Sequence, residues 1–341
     1  SNYEEVNDLL IGDFEITAKA MDGVTIEDIS AQTYTGSNIE PGVIVKDNGK
    51  TLEAVDYTVE YENNLNVGTA TVKVTGIGNY KGTVEKTFDI IAKPITEKGV
   101  EIEGIPEQTY TGSNIEPGVI VKENGKTLED VDYTVEYENN QNVGKATVKV
   151  TGKGNYTGDK TVEFTITPAQ LIIKEVKQSE ALIYDGSDQR ARVNGVAITV
   201  GNAQVNLEYS KDEKGLYTKE VPAFTAAGEH EVFYKASAAN HEEAQGSFNI
   251  IIGKAKTSEI TVNGIVNQKY RPGEKIEQDN LSLSINGTVI PKEDYEVKYE
   301  NNSNIGTAKL TITSNNFDGT INKEFRITQK SIDECEFFKI E

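Results

Sequence analysis

The chain has 341 residues, of which 36% are hydrophobic and 26% are charged, and its formal net charge is −21. This composition is typical of folded domains, and the length allows two or three ordinary domains, or more if they are small. The acid excess argues against binding to nucleic acid or to an anionic lipid surface, because both are themselves anionic. No apolar run approaches the ~18–20 residues of a membrane span. We therefore expect no nucleic-acid partner and no membrane insertion within this fragment.

The first element in the chain is a short segment that matches the end of a repeat. Phe14-Glu15-Ile16 has the F-x-I pattern that also occurs at Phe88, Phe164, Phe248 and Phe325. We interpret residues 1–19 as the tail end of a preceding repeat. Five F-x-I segments mark repeat ends, but only four tyrosines mark repeat starts: Tyr34, Tyr110, Tyr184 and Tyr270.

Two nearly identical repeats follow, residues 20–93 and 94–168. Their central parts, residues 32–82 and 108–158, differ at six positions: Asp47/Glu123, Ala54/Asp130, Leu65/Gln141, Thr69/Lys145, Ile77/Lys153 and Lys81/Thr157. Five of the six differences involve a charged residue, so these positions are predicted to be exposed. Such similarity indicates internal duplication, which is the signature of a modular array.

The second repeat predicts short strands throughout. Asp132–Asn139 and Lys145–Thr151 alternate apolar and polar residues with a period of two, which is typical of half-buried antiparallel strands. Asn124-Gly125 is the residue pair most typical of a two-residue hairpin. No segment has a convincing helical period. We therefore predict all-β, small antiparallel Ig-like β-sandwich domains arranged end to end as an elongated rod; a β-grasp-like unit with one short helix is the alternative.

The third repeat, residues 169–254, begins with Tyr184-Asp185-Gly186 and departs from the pattern at Val205–Glu220. Aligning Gly228 with Gly144 places Phe248 on Phe164 and Ile250 on Ile166. The same comparison places His241 at Tyr156 and His230 at Ala146.

The fourth repeat, residues 255–329, has Tyr270-Arg-Pro-Gly where the first two have Y-T-G. Residues 330–341 resemble the start of a following repeat. Cys335 is the single cysteine, so no intramolecular disulfide can form. Short connectors such as Lys93-Pro94 leave little slack between repeats.

The recurring pattern Y-T-G…N-G-K-x-L…D-Y-T-V-x-Y-x-N-N…G-x-G-N-Y-x-G…F-x-I resembles tandem Ig-like repeats of large Gram-positive surface proteins, and the third repeat resembles YDG and MBG-type repeats of adhesin-like proteins. The resemblance implies an extracellular location, on a bacterial cell surface or secreted, and a stalk or adhesive role with a glycan or protein partner, from the host or the environment. The alternative is that the repeats are glycan- or protein-binding accessory modules of a secreted multidomain glycoside hydrolase. The resemblance transfers no catalytic residue.

No catalytic, cofactor-binding or metal-binding residue is predicted, the ligand-binding residues are unknown, and we expect a monomer without cofactors and without enzyme activity. His230 and His241 lack a cysteine or carboxylate pattern that would make them ligands or bases. Tyr133, Tyr137 and Tyr156 are interpreted as core residues with hydroxyls at the rim; a sugar-stacking platform is the alternative. A Lys–Asn isopeptide bond is disfavoured because Lys46, Lys73, Lys122 and Lys149 lie on outward faces or turn edges.

Overall fold

The computed structural model describes residues 13–331, and it is all-β over that range, with no α-helix. The predicted all-β class is therefore confirmed. None of the helical turns in residues 13–331 is long or apolar enough to cross a membrane. The predictions for residues 1–12, for Cys335 and for residues 332–341 lie outside the described residues. Phe14 and Ile16 are described, and they lie outside any strand with exposed side chains.

The strands form four successive sets. Strand set 1 comprises β1 (Lys19–Ala20), β2 (Val24–Ile26), β3 (Gln32–Thr33), β4 (Val45–Asp47), β5 (Lys50–Thr51), β6 (Tyr57–Glu62), β7 (Gly68–Gly76), β8 (Tyr80–Lys81) and β9 (Thr83–Ile91). Strand set 2 comprises β10 (Lys93–Pro94), β11 (Val100–Ile102), β12 (Gln108–Thr109), β13 (Val121–Glu123), β14 (Lys126–Thr127), β15 (Tyr133–Glu138), β16 (Gly144–Gly152), β17 (Tyr156–Thr157) and β18 (Asp159–Thr167).

Strand set 3 comprises β19 (Ile172–Gln178), β20 (Leu182–Ile183), β21 (Gln189–Arg190), β22 (Val193–Ile198), β23 (Val205–Ser210), β24 (Ala223–Phe224), β25 (Gly228–Ala238) and β26 (Ala244–Gly253). Strand set 4 comprises β27 (Ala255–Lys256), β28 (Ile260–Asn263), β29 (Gln268–Lys269), β30 (Ser282–Ile285), β31 (Thr288–Ile290), β32 (Glu296–Glu300), β33 (Gly306–Thr313), β34 (Phe317–Asp318) and β35 (Ile321–Thr328). Single 3₁₀ turns occur at Met21–Gly23, Val200–Asn202, Thr257–Glu259 and Lys292–Asp294.

The chain divides into two compact units. Among the described residues, the first unit comprises residues 13–108 and 114–167 and contains most of strand sets 1 and 2. The second unit comprises residues 109–113 and 168–331 and contains strand sets 3 and 4.

In the first unit, strand set 1 folds as a two-layer sandwich. One sheet has the order β2–β4–β5 and the other β3–β9–β7–β6. Val24 and Val45 of the first sheet and Val72 and Val74 of the second share one buried cluster. In strand set 2, β18–β16–β15 repeats the long hairpin sheet, and Val148 and Val150 are fully buried as the alternation predicts.

The sheets are mainly antiparallel, and short parallel pairs of two residues accompany them within residues 13–331. β3 runs parallel to β9, and β1 runs parallel to β8. A parallel pair needs a long connection between its strands, which the intervening strands of the same set supply. The predicted Asn-Gly hairpin is present: β13 pairs antiparallel with β14, and Asn124 and Gly125 both have positive φ, at 47° and 85°, as a type I′ turn requires.

In the second unit, one hydrophobic cluster extends from Val176 and Tyr184 of strand set 3 to Phe317 and Phe325 of strand set 4. The sheet β29–β35–β33–β32 repeats the arrangement of strand set 1, with Ala308, Leu310 and Ile312 buried.

The structure corrects the alignment of the third repeat. β16 pairs Gly144 with Ile166, whereas β25 pairs Gly228 with Ile252, not with Ile250. The reason is that β25 and β26 are longer than β16 and β18, so the hairpin closes two residues later. Ile250 and Ile252 therefore take the buried places, and Phe248 is only half-buried, with its ring 6.2 Å from that of Tyr209.

Candidate functional site: the tyrosine joints

Two short segments meet repeatedly within the units, and we name them here. A tyrosine turn is one of the Tyr-x-Gly segments Tyr34–Gly36, Tyr110–Gly112 and Tyr184–Gly186. A receiving turn is one of the Asn-aromatic pairs Asn79-Tyr80, Asn155-Tyr156, Asn240-His241 and Asn316-Phe317. A joint is the contact between the two.

The receiving turn of strand set 2 is built around an enclosed ion pair. Tyr156 lies beside Lys93 because β10 and β17 pair in parallel. The Tyr156 hydroxyl donates a hydrogen bond to one oxygen of Glu123, and the Lys93 ammonium donates to the other. The Lys93 and Glu123 side chains are only 13% and 10% exposed. Three polar groups therefore satisfy one another at the surface of the sandwich, which limits the cost of burying them.

The charges in this cluster follow from that arrangement. Burial acts to raise the pKa of Glu123, but the hydrogen bonds from Lys93 and Tyr156 outweigh it and hold the pKa below its ordinary value. Burial, and then the adjacent Glu123 carboxylate, raise the pKa of the Tyr156 hydroxyl far above its ordinary value. Tyr156 therefore stays protonated and acts as a hydrogen-bond donor, not as a base.

The first tyrosine turn packs directly on this cluster. Its backbone is fixed because the Tyr34 N–H donates to the Ile91 carbonyl at 3.0 Å and Gly36 adopts a φ of 80°. The Tyr34 ring meets the Tyr156 ring edge to face, with centroids 5.6 Å apart at 77°. Such pairs contribute about 0.5–1.5 kcal/mol beyond the area that they bury.

A second contact accompanies the aromatic pair. The Val67 N–H, one residue before the glycine that opens β7, donates to Asn155 Oδ1 at 2.9 Å. Asn155 Nδ2 in turn donates to Asn66 Oδ1 at 3.1 Å. The joint therefore has two points of attachment, an aromatic one at Tyr156 and a hydrogen-bonded one at Asn155.

The second unit contains the same joint with different chemistry. The Ala227 N–H, again one residue before a strand-opening glycine, donates to Asn316 Oδ1 at 2.9 Å. Tyr184 is 1% exposed, and its hydroxyl donates to Asp294 Oδ2 at 3.4 Å. Phe317 stands where Tyr156 stands in strand set 2, so this joint is largely apolar. Burial, with the Asp294 charge, raises the pKa of Tyr184 to about 12.

A third tyrosine turn, residues 110–112, belongs to the second unit. The Tyr110 ring meets the His241 ring edge to face at 5.7 Å and 74°. A Cβ on Gly112 would lie 2.6 Å from the Gly201 Cα, so only glycine fits there.

The predicted place of His241 is confirmed. It forms a parallel bridge with Ala169, as Tyr156 does with Lys93. His241 Nε2 accepts a hydrogen bond from the Val200 N–H at 2.8 Å. The proton must therefore be on Nδ1, which donates to the Ala239 carbonyl at 2.7 Å. The imidazole is fully used as a structural group in its neutral form.

His230 has a separate structural role. Its ring stacks on Phe224 with centroids 4.3 Å apart, and its Nε2 lies 2.7 Å from the Ala226 carbonyl. The two histidines are thus held in different contacts. Within residues 13–331, no group of three or more His, Cys, Asp and Glu side chains is arranged to hold a metal ion.

Tyr133, Tyr137 and Tyr156 are buried or half-buried, as the sequence analysis predicted. Tyr133 and Tyr156 are buried, and the hydroxyls of Tyr133 and Tyr137 donate to the carbonyls of Val119 and Pro117. Among residues 13–331, no buried side-chain nitrogen or oxygen lacks a hydrogen-bond partner.

Sequence reasoning missed the Lys93–Glu123 pair. The prediction that the Asp47/Glu123 position is exposed was wrong, because these carboxylates are enclosed by their hydrogen bonds and their side chains are only 11% and 10% exposed. The lysines it considered form surface pairs, such as Lys46 with Glu27 and Lys122 with Glu103. Lys93 was treated only as a connector. The available signal was the recurrence of a lysine at the same place after two F-x-I segments, Lys19 after Ile16 and Lys93 after Ile90.

Comparison with known proteins gives only distant structural likeness. No protein-family model matches the chain, and no curated protein sequence matches it. Among solved structures, Sidekick-1 immunoglobulin domains 1–5 are similar with a TM-score of 0.31 and 9% identity over 90% of this chain and 81% of that chain. The insect immune protein hemolin gives 0.28 and 8% over 91% and 100%. Surface layer protein SbsC, domains 1–6, gives 0.19 and 16% over 91% and 53%. These neighbours are tandem domains, but TM-scores below 0.5 carry no argument about function.

Proposed function

We propose that this chain is a non-catalytic repeat region of a bacterial cell-surface or secreted protein, which acts as a stalk and presents a binding function. Residues 20–93, 94–168, 169–254 and 255–329 are its four complete repeats, and the YTG and YDG resemblance to Gram-positive adhesin-like proteins supports this assignment. The observation that carries the proposal is the joint, which recurs in both units with a backbone N–H bonded to an asparagine, accompanied by a tyrosine that packs on Tyr156 in the first unit and donates to Asp294 in the second.

A stalk must resist separation of its modules. An aromatic ring seated on the next module, together with a backbone hydrogen bond, resists bending at a connector of only a few residues. The polar groups at the joint of the first unit are hydrogen-bonded to one another, because Lys93 and Tyr156 both donate to Glu123.

Stretching the full chain by single-molecule force spectroscopy tests this proposal. We expect separate unfolding events with contour-length increments of roughly 250 Å, because each repeat has about 75 residues at ~3.3–3.6 Å each. One cooperative event for the whole chain would contradict a modular stalk.

A second candidate function, glycan binding as an accessory module, is favoured by one cleft in strand set 3. It is lined by Glu213, Tyr217, Phe233, Gln245, Gly246 and Ser247. Lys235 Nζ lies 4.5 Å from the centre of the Tyr217 ring. Aromatic rings beside carboxylate and amide groups suit a sugar. A glycan array probed with the chain and with Tyr217→Ala tests it: glycan binding that Tyr217→Ala abolishes supports this candidate, and no binding removes it.

A further inference from the structure

Strand set 1 carries the same receiving surface as strand set 2. Lys19 lies beside Tyr80 through the parallel β1–β8 pair, as Lys93 lies beside Tyr156. The Lys19 ammonium and the Tyr80 hydroxyl both donate to Asp47 Oδ2, at 2.6 and 3.0 Å. Asp47 therefore plays the part that Glu123 plays in strand set 2.

The two surfaces differ in what covers them. The cleft in strand set 2 is lined by its own residues and by Tyr34, Thr35 and Gly36 of a tyrosine turn. Among the described residues, the corresponding cleft in strand set 1 is lined by its own repeat and its entry strand: Lys19, Asp47, Lys50, Thr51, Leu52, Glu53, Asp56, Asn79 and Tyr80. No tyrosine turn lies on it within residues 13–331.

The side chains of the receiving surface are more exposed in strand set 1 than in strand set 2, as expected if only the second surface is covered. The Lys19 side chain is 51% exposed, whereas that of Lys93 is 13% exposed. Tyr80 is half-buried, whereas Tyr156 is buried. Asn79 is exposed, and within residues 13–331 no side-chain hydrogen bond engages its amide, which can therefore accept the kind of backbone hydrogen bond that Asn155 accepts from Val67.

We propose that this surface is a docking site for the tyrosine turn of a further β-sandwich repeat. The tyrosine ring packs edge to face on Tyr80, and its hydroxyl lies among the carboxylates of Asp47 and Asp56, as Tyr184 lies beside Asp294. A backbone N–H before a strand-opening glycine donates to Asn79. The inference rests on the geometry of the observed joints and not on the stalk role.

The occupant is specified by these contacts. The ligand must bring an aromatic ring, a hydroxyl donor and a glycine with positive φ, because Gly36, Gly112 and Gly186 have φ values of 80°, 83° and 78° in the three occupied joints. A Cβ on Gly186 would lie 3.2 Å from Thr288 Cγ2, so a larger residue there would also have to displace the receiving surface slightly.

The experiment supplies that turn to the full chain. A second copy of residues 92–167 is inserted between Thr17 and Ala18, which keeps the register because Ile16 aligns with Ile166. The matched control is the same insertion with Tyr110→Ala in the inserted copy only. Nitration of Tyr80 is followed by mass spectrometry of the tryptic peptide 74–81, whose sequence is absent from the inserted copy.

We expect the insertion to slow nitration of Tyr80 by roughly three- to tenfold, the factor that an edge-to-face pair supports. The control should leave the rate at that of the original chain. The proposal is overturned if the two insertions protect Tyr80 equally, if neither protects it, or if Tyr80 of the original chain already reacts as slowly as Tyr156. Circular dichroism of both insertions, which should show the same β signal, establishes that each has folded.

Discussion

Tyr34 and Tyr156 belong to different strand sets, yet their rings pack edge to face 5.6 Å apart in the first unit. Tyr156 is in turn hydrogen-bonded to Glu123, and Glu123 to Lys93. The aromatic contact between modules therefore rests on a polar cluster within one module. A substitution in that cluster should therefore weaken the contact between Tyr34 and Tyr156.

Removing the Glu123 charge tests how strongly the cluster holds the module. Glu123→Gln leaves the enclosed Lys93 without its partner, and we expect a loss of about 2–4 kcal/mol near pH 7. Glu163→Gln is the control, because its pair with Lys145 is well exposed and should contribute less than ~1 kcal/mol. Hydrogen exchange of peptides from β16 measures the free energy of opening. Equal losses in both variants would contradict the structural role of Glu123.

The Lys93–Glu123 pair also predicts that the stability of strand set 2 falls in acid. Because the folded-state pKa of Glu123 is lowered, its contribution is fully present above the unfolded value of ~4.3 and is lost as the pH falls through the lower folded value. Hydrogen exchange near pH 3 should therefore show a smaller difference between the original chain and Glu123→Gln than at pH 7. If the difference in stability between the original chain and Glu123→Gln grew on acidification, the predicted direction of the pH dependence would be wrong.

The raised pKa of Tyr184 predicts that the stability of the second unit depends on pH in the alkaline range. Its folded pKa is raised to about 12 from an ordinary value of 10.0. The stability that it contributes is thus complete below pH ~10 and falls as the pH rises towards 12. Ultraviolet titration should show one tyrosine ionising near pH 12 that is missing in Tyr184→Phe. Loss of a tyrosine that ionises near pH 10 in that variant would contradict the enclosed joint.

Asn140 holds the loop that precedes β13. Its side-chain amide donates to the Ile115 carbonyl at 3.1 Å, and the Ile115 N–H donates to the Asn140 carbonyl at 2.9 Å. Asn140→Ala leaves the Ile115 carbonyl without this donor, and we expect a cost of about 1–3 kcal/mol. The exposed neighbour Gln141 provides the control variant Gln141→Ala. Hydrogen exchange of peptides from strand set 2 should separate the two, and equal protection would argue against this role.

Gly264 and Gly104 occupy the same place in two repeats but have different surroundings. A Cβ on Gly264 would lie 1.9 Å from the Asn280 carbonyl oxygen, and its φ is 81°. A Cβ on Gly104 would have no atom within 4 Å. Gly264→Ala should therefore cost several times the ~1 kcal/mol that is typical of a strained glycine position, while Gly104→Ala should be nearly neutral. Comparable melting curves for the two variants would contradict the close approach.

The sequence predicts what depends on local pattern. Alternation in Lys145–Thr151 predicts the buried valines, and Asn124-Gly125 predicts its hairpin, because both depend on neighbouring residues only. The shift at Phe248 was missed because strand length in β25 and β26 is set by pairing, not by motif. The joints were missed because Tyr34 and Tyr156 look like ordinary core tyrosines until the fold brings them together.

The most direct test of the joint is the reactivity of Tyr156 itself. Nitration of the full chain, followed on the peptide that contains Tyr156, is compared with Tyr34→Ala and with Tyr110→Ala, which removes the equivalent tyrosine from a different turn. We expect Tyr34→Ala to raise the Tyr156 rate roughly three- to tenfold, towards that of Tyr80, and Tyr110→Ala to leave it unchanged. An unchanged Tyr156 rate in Tyr34→Ala, or an equal rise in both variants, would contradict the joint between Tyr34 and Tyr156.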